Sequence, residues 1–332
     1  MSKPFKTHNA QLKILRKRNI IIKNGSRAKG ILIRENYYQI INGYKHIFLN
    51  PVETKKRKSD YYKNGTTFEQ IYSLYEFDRN LRNLLLKYLL MTENSVRSKI
   101  AYQFSLEHPK EPFPYFNINN YDTTNHQNTT SLIAELSAVT KNNTDSTTCS
   151  GPFYHYFQKH QELPLWVLVT KLSFGQTCKL FYTLPDTMKQ DILDVIFNEF
   201  HHNSSKNVPV SSLSTNKYLK EFGAMLNCVK SFRNVCAHED RLYDYKAKNR
   251  KGKPIITSFF YLNQAPSFNG GFYDVLIVLR FFLTKKDYSQ LLAKTKNEIS
   301  ILQKALPSNL FSEVLRKMQF PKDWDTKLLS YK

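Results

Sequence analysis

The sequence is poor in the residues on which several protein classes depend. It holds only 10 glycines and four cysteines in 332 residues. So few glycines argue against glycine-rich nucleotide-binding folds and against a turn-rich β-sandwich. The cysteines form no CxxC pair, so neither a disulfide framework nor a zinc ribbon is indicated. They are Cys149, Cys178, Cys228 and Cys236.

Long apolar runs and acidic residues are also scarce. Runs such as Val275–Leu279 fall far short of the roughly 20 residues that a membrane-spanning helix needs. The N-terminus lacks the apolar region of a signal peptide. Acidic residues number 27 against 49 lysines and arginines, which gives a formal net charge of +22. These absences predict a soluble cytoplasmic protein with no membrane association and with an anionic partner.

The positive charge is concentrated in two stretches. Residues 1–60 contain 15 lysines and arginines against three acidic residues, and a second basic stretch surrounds Gly252. Such clusters bind phosphate backbones by releasing counterions, although a solvated face or a membrane-surface patch would also explain any single run. Tyrosines interleaved with the first stretch favour RNA over lipid because they offer stacking surfaces. The predicted RNA-binding residues are Lys55, Lys56, Arg57, Lys58, Lys248, Arg250 and Lys251.

Helical periodicity dominates the rest of the chain. Apolar residues recur at helical spacing from Thr67 to about Leu106 and again from Leu213 to Asp240. At the N-terminus we predict a helix at Ala10–Arg18 and a second one, capped by Ser26, from Arg27 to about Tyr38. With 41% hydrophobic residues to fill a core, this pattern predicts an all-α helical bundle with an N-terminal helical extension and a small β-hairpin near 246–262.

Changes in composition divide the chain into six regions. The segment 108–151 is rich in Pro, Asn and Thr, so we interpret it as a surface insertion or linker with a short helix at Ser131–Val139. The regions are a basic N-terminal helical region (1–60), the first part of the bundle (61–107), the polar insertion (108–151), the second part of the bundle (152–245), a basic loop or hairpin (246–266) and C-terminal helices (267–332).

One constellation carries the residue types of catalysis. In a helix, Asn234 and His238 are separated by four residues and Arg241 follows three later, so these three share a face. A histidine can move the proton of a 2′-hydroxyl or of a leaving oxygen, and an arginine such as Arg233 can neutralise charge on phosphorane oxygens. Asn234 can orient the imidazole. Taken alone, the motif fits equally well a capped helix end with a surface arginine and a hydrogen-bonded histidine.

The geometry of the motif and the absence of other clusters limit its chemistry. Arg233 lies about 140° from His238 around an ideal helix, so both reach one phosphate only if the helix loosens or a second copy supplies half the site. No carboxylate cluster or HxH spacing offers a two-metal site, which disfavours magnesium-dependent nuclease chemistry. The sequence therefore predicts RNA cleavage that needs neither metal nor cofactor.

The arrangement Arg-Asn-x3-His at a helix end resembles the signature of the HEPN superfamily. Its continuation, Cys236 to Tyr243, is similar to the Abi (abortive infection, AbiD/AbiF-like) branch. The resemblance extends from about residue 10 to 283 and rests on several segments in order. These are Tyr37-Tyr38 with Asn42-Gly43-Tyr44, Phe77 to Arg82, Glu93-x3-Arg97-x3-Ala101-Tyr102, and Leu165-Trp166 through Ser173-Phe174-Gly175.

This resemblance implies a HEPN-type bundle and a ribonuclease toxin of phage defence. It further implies a homodimer whose two motif helices build a composite site, and restraint by a small noncoding RNA docked on the basic N-terminal region. Arg233, Asn234 and His238 would be catalytic.

Several further residues are supporting candidates. Glu93 and Arg97 form either a surface ion pair or a support for the motif helix. Arg241 and Tyr243 either contact substrate or belong to a solvated helix end. We expect Trp166 and Phe174 to lie in the core.

Two other functions remain open from the sequence. A non-catalytic RNA-binding HEPN protein would bind RNA tightly without turnover. A DNA-binding regulator would use Arg27–Tyr38 as the recognition helix of a helix-turn-helix, but that segment has few side chains suited to reading bases.

Overall fold

The computed structural model describes residues 4–145, 150–203, 215–257, 268–324 and 326–327. Over these residues the chain is all-α, as the periodicity predicts, with isolated bridges but no β-sheet. None of the helices in these ranges has the length and apolar character needed to cross a membrane. The helices are α1 (His8–Lys17), α2 (Gly25–Arg34), α3 (Pro51–Arg57), α4 (Phe68–Glu107), α5 (His126–Thr144), α6 (Pro152–His160), α7 (Leu165–Leu168), α8 (Phe174–Thr183), α9 (Asp186–Asn203), α10 (Thr215–Ala237), α11 (Phe272–Phe282), α12 (Lys285–Ala305) and α13 (Ser308–Lys317).

Helix α4 is the axis of the fold. It begins in a capping box, in which Gln70 N–H donates to Thr67 Oγ1 at 3.1 Å and Thr67 N–H donates to Gln70 Oε1 at 3.0 Å. Its 40 residues span about 60 Å. It packs chiefly against α10 and α12. The helix predicted from Thr67 to about Leu106 is therefore confirmed, and it provides one continuous support for the residues discussed below.

Helix α10 carries the motif and packs against α4 and α11. The predicted apolar stripe is buried, with Phe222, Leu226, Val229 and Phe232 fully inaccessible to solvent. Burial of each such side chain contributes about 1.5–3 kcal/mol. The stripe fixes the rotation of α10, so the opposite face points to solvent.

The N-terminal region differs from the prediction at the start of α2. Asn24, not Ser26, caps this helix, since Asn24 Oδ1 accepts a hydrogen bond from Arg27 N–H at 2.9 Å. The helix ends at Arg34, and a short π-helical turn follows at Tyr38–Asn42. The hydrogen bond from Ile21 N–H to Thr66 O, at 2.9 Å, ties the connection between α1 and α2 to the start of α4.

The segment 108–145 is more than the predicted surface insertion. Tyr115 and Tyr121 are buried, and so are Leu132 and Leu136 on α5. Helix α5 is longer than the predicted Ser131–Val139 helix and packs against α8. The outer face of α5 explains the polar composition of the segment, while its few apolar residues complete the core.

Over the described residues 246–257, the basic loop after α10 forms a tight turn between two short antiparallel segments. An isolated antiparallel bridge joins Lys248 to Pro254, and Asn249 N–H donates to Lys253 O at 2.8 Å. The predicted hairpin extends to residue 262, and its residues 258–262 lie outside the described part of the chain.

Candidate active site

Helix α10 ends in a tight chain reversal within the motif. Asp240 N–H donates to Val235 O at 3.0 Å, and Glu239 N–H donates to Cys236 O at 3.4 Å. Glu239 has a left-handed backbone, with φ at 57°. These two hydrogen bonds form a Schellman motif, which ends the helix and places His238 at its C-cap.

His238 and Asn234 lie on the exposed face of this helix end. The backbone of His238 keeps helical register, because its N–H donates to Asn234 O at 2.9 Å. Both side chains are exposed. In the part of the chain that the structure describes, neither the imidazole nor the amide makes a hydrogen bond, so the single chain does not contain the orienting contact expected between them.

Arg241 does not share the face of Asn234 and His238, and that prediction is wrong. The reversal at Glu239 turns the chain away from the helix axis before Arg241 is reached. Arg241 Nε instead donates to Asp244 Oδ1 at 2.6 Å, and its guanidinium donates to the carbonyl oxygen of Gly43. Arg241 therefore ties the segment after the motif to the N-terminal region.

Tyr243 is fully buried, so the prediction that it contacts substrate or lies at a solvated helix end is wrong. Its ring stacks against that of Tyr44, with the centroids 6.0 Å apart. Burial, followed by the charge of Asp244, raises the pKa of this phenol. The residue anchors the chain after the motif.

A buried carboxylate on α4 holds this anchor. We call Asp78, Arg82, Tyr44 and the amides of Leu242 and Tyr243 the Asp78 cluster. Asp78 Oδ1 accepts from Tyr243 N–H at 2.6 Å, while Oδ2 accepts from Leu242 N–H at 3.1 Å, from Tyr44 O–H at 2.6 Å and from Arg82 Nη1. Burial and the neighbouring Asp78 carboxylate raise the pKa of Tyr44, which keeps the phenol protonated as a donor.

A second buried carboxylate on α4 holds the arginine of the motif. Glu93 has 1% exposure, and its Oε2 accepts from Arg233 Nε at 3.2 Å. Its Oε1 accepts from the guanidinium of Arg97. We call these three residues the Glu93 cluster. Arg233 keeps 27% of its side chain exposed, so its guanidinium is tethered at one edge and open to solvent elsewhere.

Arg97 connects the Glu93 cluster to the turn before α8. Its guanidinium donates to Leu172 O, and its Nε donates to Thr177 Oγ1 at 3.4 Å. Burial lowers the pKa of Arg97, the Glu93 carboxylate opposes this, and the charge of Arg233 adds to the lowering. A carboxylate between two guanidinium groups is therefore needed to keep both charges in place.

The two clusters flank the motif. Glu93 fixes the side chain of Arg233 before the helix end, and Asp78 fixes the amides of residues 242 and 243 after it. His238 lies between these two attachments. The helical spacing of Glu93 and Arg97 is visible in the sequence, whereas the backbone partners of Asp78 leave no signal there.

The predicted RNA-binding residues lie on two separate elements. Residues 55–58 are exposed at the C-terminal end of α3, where Arg57 pairs with Glu53 at 2.9 Å and lies 4.1 Å from the ring centroid of Tyr61. Lys248, Arg250 and Lys251 are exposed in the turn after α10. Both sets are therefore available to an anionic ligand.

Trp166 lies outside the core, in contrast to the expectation from its size. Its exposure is 56%, whereas Phe174 is buried as expected. Trp166 lines a surface groove together with Arg97, Tyr102 and Leu106. The four-residue helix α7 is too short to bury both of its faces, and Leu165 and Leu168 occupy the inner one.

Comparison with known proteins identifies the family. The described residues contain no group of three His, Cys, Asp or Glu side chains arranged to hold a metal ion. No curated protein and no solved structure matches the chain. A family model of Abi-like proteins matches residues 30–244, a range that includes both clusters and the whole motif. The chain therefore belongs to the family of Abi-like proteins, which associates it with abortive infection.

Proposed function

We propose that this Abi-like protein is a metal-independent endoribonuclease of HEPN type, in the AbiD/AbiF-like branch, that acts as a toxin in phage defence. His238 is the general acid or base and Arg233 binds the scissile phosphate. Asn234 orients the imidazole in the homodimer described below, since the two side chains make no hydrogen bond within the described residues of one chain. The observation that carries the proposal is that one end of α10 presents two groups together. They are an exposed imidazole that makes no hydrogen bond within the described residues, and an arginine that is held by the buried carboxylate of Glu93 on α4.

The reaction follows from these groups. The 2′-oxygen of a ribose attacks the adjacent phosphorus while the bond to the 5′-oxygen of the next nucleotide breaks. His238 takes the proton of the 2′-hydroxyl or delivers one to the leaving 5′-oxygen. Arg233 neutralises the charge that develops on the phosphorane oxygens. The products are a 2′,3′-cyclic phosphate and a 5′-hydroxyl.

A homodimer through the motif helices completes this site. On one helix Arg233 and His238 are about 140° apart, which prevents both from meeting one phosphate. The side chains of Asn234 and His238 are exposed and make no hydrogen bonds within the described residues, so a second α10 has room to approach them. In this arrangement each active site combines His238 of one protomer with Arg233 of its partner.

A noncoding RNA restrains the enzyme in this proposal. Its docking surface is the basic N-terminal region, where residues 55–58 are exposed. Arg241 links that region to the segment after His238 through Gly43, so an RNA bound there lies on elements in contact with the site.

The test is cleavage of total cellular RNA by the purified protein in EDTA, with analysis of the product ends. We expect cuts that end in 2′,3′-cyclic phosphate, lost by at least 10²-fold in His238→Ala because the proton-transfer group is gone. The control is His202→Ala, which removes an exposed histidine on α9. Unchanged cleavage by His238→Ala contradicts the catalytic assignment.

A second outcome identifies a binding protein. Absence of cleavage by either protein, with RNA co-purifying, is expected of a non-catalytic RNA-binding protein or of an enzyme silenced by that RNA. Removal of the RNA followed by the same assay separates the two, because only the silenced enzyme gains activity.

A further inference from the structure

A basic groove lies beside α10, on the N-terminal side of the motif. It is formed by α8, α9, α10 and the turn after α10, and its volume is about 740 Å³. Its cationic side chains are Lys189, Lys220, Lys230, Lys248 and Arg250. Only Lys248 and Arg250 belong to a basic run in the sequence, because the other three are dispersed along α9 and α10.

The charge of this groove is largely unneutralised. Lys189 pairs with Asp186 at 2.9 Å. Within the described ranges the other four cationic side chains have no ion pair, and no carboxylate side chain lines the groove. Four unpaired cations around one concave surface repel each other, and an anionic ligand relieves that repulsion.

The floor of the groove is rigid and partly aromatic. The phenol of Tyr182 donates to Gly223 O at 2.7 Å and accepts from Asn227 Nδ2 at 2.8 Å. A Cβ at Gly223 would lie 3.0 Å from the Tyr182 ring, so the glycine permits this close approach. Tyr182 is thereby held against α10 with part of its surface open, as a stacking surface for a base requires.

The groove is in register with the motif. Gly223, Asn227, Lys230, Asn234 and His238 follow one another along α10 at intervals of three or four residues, which places them on one helix face. Lys230 lies about 12 Å from His238 along the helix axis. At roughly 3.4 Å per nucleotide, the spacing along one strand of duplex DNA, this distance corresponds to three to four nucleotides.

We infer that this groove binds the phosphate backbone of single-stranded RNA on one side of the scissile phosphate. The cations contact successive phosphates, and a base stacks on Tyr182. The inference rests on the proposed ribonuclease function for the continuity of the strand with His238. The binding surface itself stands on the charge, the fixed aromatic floor and the shared helix face.

The test is binding of a fluorescein-labelled 2′-O-methyl uridine 12-mer, which the enzyme cannot cleave, to the full-length protein across a range of KCl concentrations. The groove variant is Lys220→Gln/Lys248→Gln/Arg250→Gln. Each phosphate contact on a single strand contributes about 0.7 to the slope of log Kd against log salt. We expect this variant to lower the slope by about 2 and to raise Kd at least tenfold.

The control removes three exposed lysines from α12, in Lys286→Gln/Lys294→Gln/Lys304→Gln. We expect the slope of this control to match that of the wild type. An unchanged slope in the groove variant, or an equal loss in the control, overturns the inference. Competition by poly-glutamate as strong as by unlabelled oligonucleotide also overturns it, because the groove would then suit an acidic protein segment.

The outcome is independent of catalysis. Absence of cleavage by the wild type after co-purifying RNA has been removed, together with a lower salt slope in the groove variant, supports the groove and refutes the proposed function. Cleavage of RNA by the wild type, together with an unaltered salt slope in the groove variant, supports the proposed function and refutes the groove.

Discussion

The two buried carboxylates on α4 hold different parts of the chain. Asp78 binds backbone amides, and its partner Arg82 has only 6% side-chain exposure. Glu93 binds the side chain of Arg233, which keeps 27% exposure. A buried carboxylate that accepts hydrogen bonds from backbone N–H groups fixes the path of the chain. A buried carboxylate that binds a partly exposed guanidinium fixes the position of that side chain and leaves it accessible to a ligand.

The two clusters have the same local sequence pattern. Each places an acidic residue four positions before an arginine on α4, and Asp78 and Glu93 are about 22 Å apart along the helix. The spacing alone predicts a weak surface pair in both cases. Their different roles arise from their different partners. Helix α10 presents the Arg233 side chain to Glu93, whereas the segment after α10 presents the backbone amides of residues 242 and 243 to Asp78.

The largest effect is expected when the Asp78 cluster is broken. Asp78→Asn should lower the free energy of unfolding by about 3–5 kcal/mol, because Arg82 is left buried without a countercharge and amide donors lose an acceptor. Urea denaturation measures this change. The control is Glu76→Gln on the same helix, where the Glu76 side chain is 42% exposed and the change should lower the free energy of unfolding by less than about 1 kcal/mol. A loss below 1 kcal/mol for Asp78→Asn would show that the cluster is not the anchor.

A smaller loss of stability but a large loss of activity is expected for the Glu93 cluster. Glu93→Gln should lower the free energy of unfolding by about 1–3 kcal/mol, because both of its arginines reach solvent. RNA cleavage should fall by about 10²-fold as Arg233 loses its position. Glu107→Gln, at the exposed end of α4, is the matched control. If Glu93→Gln were as unstable as Asp78→Asn and fully active, the two clusters would be equivalent.

The smallest effect concerns Asp274, a buried carboxylate held by the N–H groups of Asn269 and Gly270 at 2.8 and 2.6 Å. Burial raises the pKa of this carboxyl to about 6, from 3.8 for a free aspartate. At pH 5 the folded chain therefore holds a proton that the unfolded chain has lost. This contribution to stability is complete below the unfolded pKa and disappears as the pH rises through 6.

Stability measurements on Asp274→Asn test this linkage. Between pH 5 and pH 7 the wild type should lose about 1.4 kcal/mol relative to the variant, which has no proton to release. Asp323→Asn, an exposed carboxylate, should show no such difference. Parallel pH dependence of the wild type and Asp274→Asn would place the folded-state pKa of Asp274 near its unfolded value.

The sequence predicts the fold better than it predicts the ends of elements. Long apolar periodicity defines α4 and α10 because many buried side chains contribute to it. The start of α2 is ambiguous, since Asn24 and Ser26 are both good capping residues and only the path of the chain selects Asn24. The residue with the left-handed backbone at the reversal is Glu239 and not a glycine. The sequence therefore gives no signal for the reversal, and Arg241 is wrongly predicted to share a helix face with Asn234 and His238.

Parts of the site are also beyond sequence reasoning. The candidate residues Arg233, Asn234 and His238 are identified from their types and spacing. The contact of Arg233 with Glu93 depends on how α10 packs against α4, and the role of Tyr243 depends on burial beside Tyr44. Such contacts join residues distant in sequence, so no local pattern records them.

The sequence separations of these contacts also determine when the site can form during folding. The bonds of Glu93 to Arg233 and of Asp78 to Tyr243 join residues 140 and 165 positions apart, and closing such loops is entropically costly and slow. Helix α4 can form early from local interactions, but the Glu93 cluster cannot close before residue 233 has been synthesised, and the Asp78 cluster cannot close before residue 243 has been synthesised. A ribosome-bound chain that ends before Tyr243 therefore lacks the anchor that follows His238, so the end of α10 that carries the motif is not held on both sides until the segment after it has been synthesised.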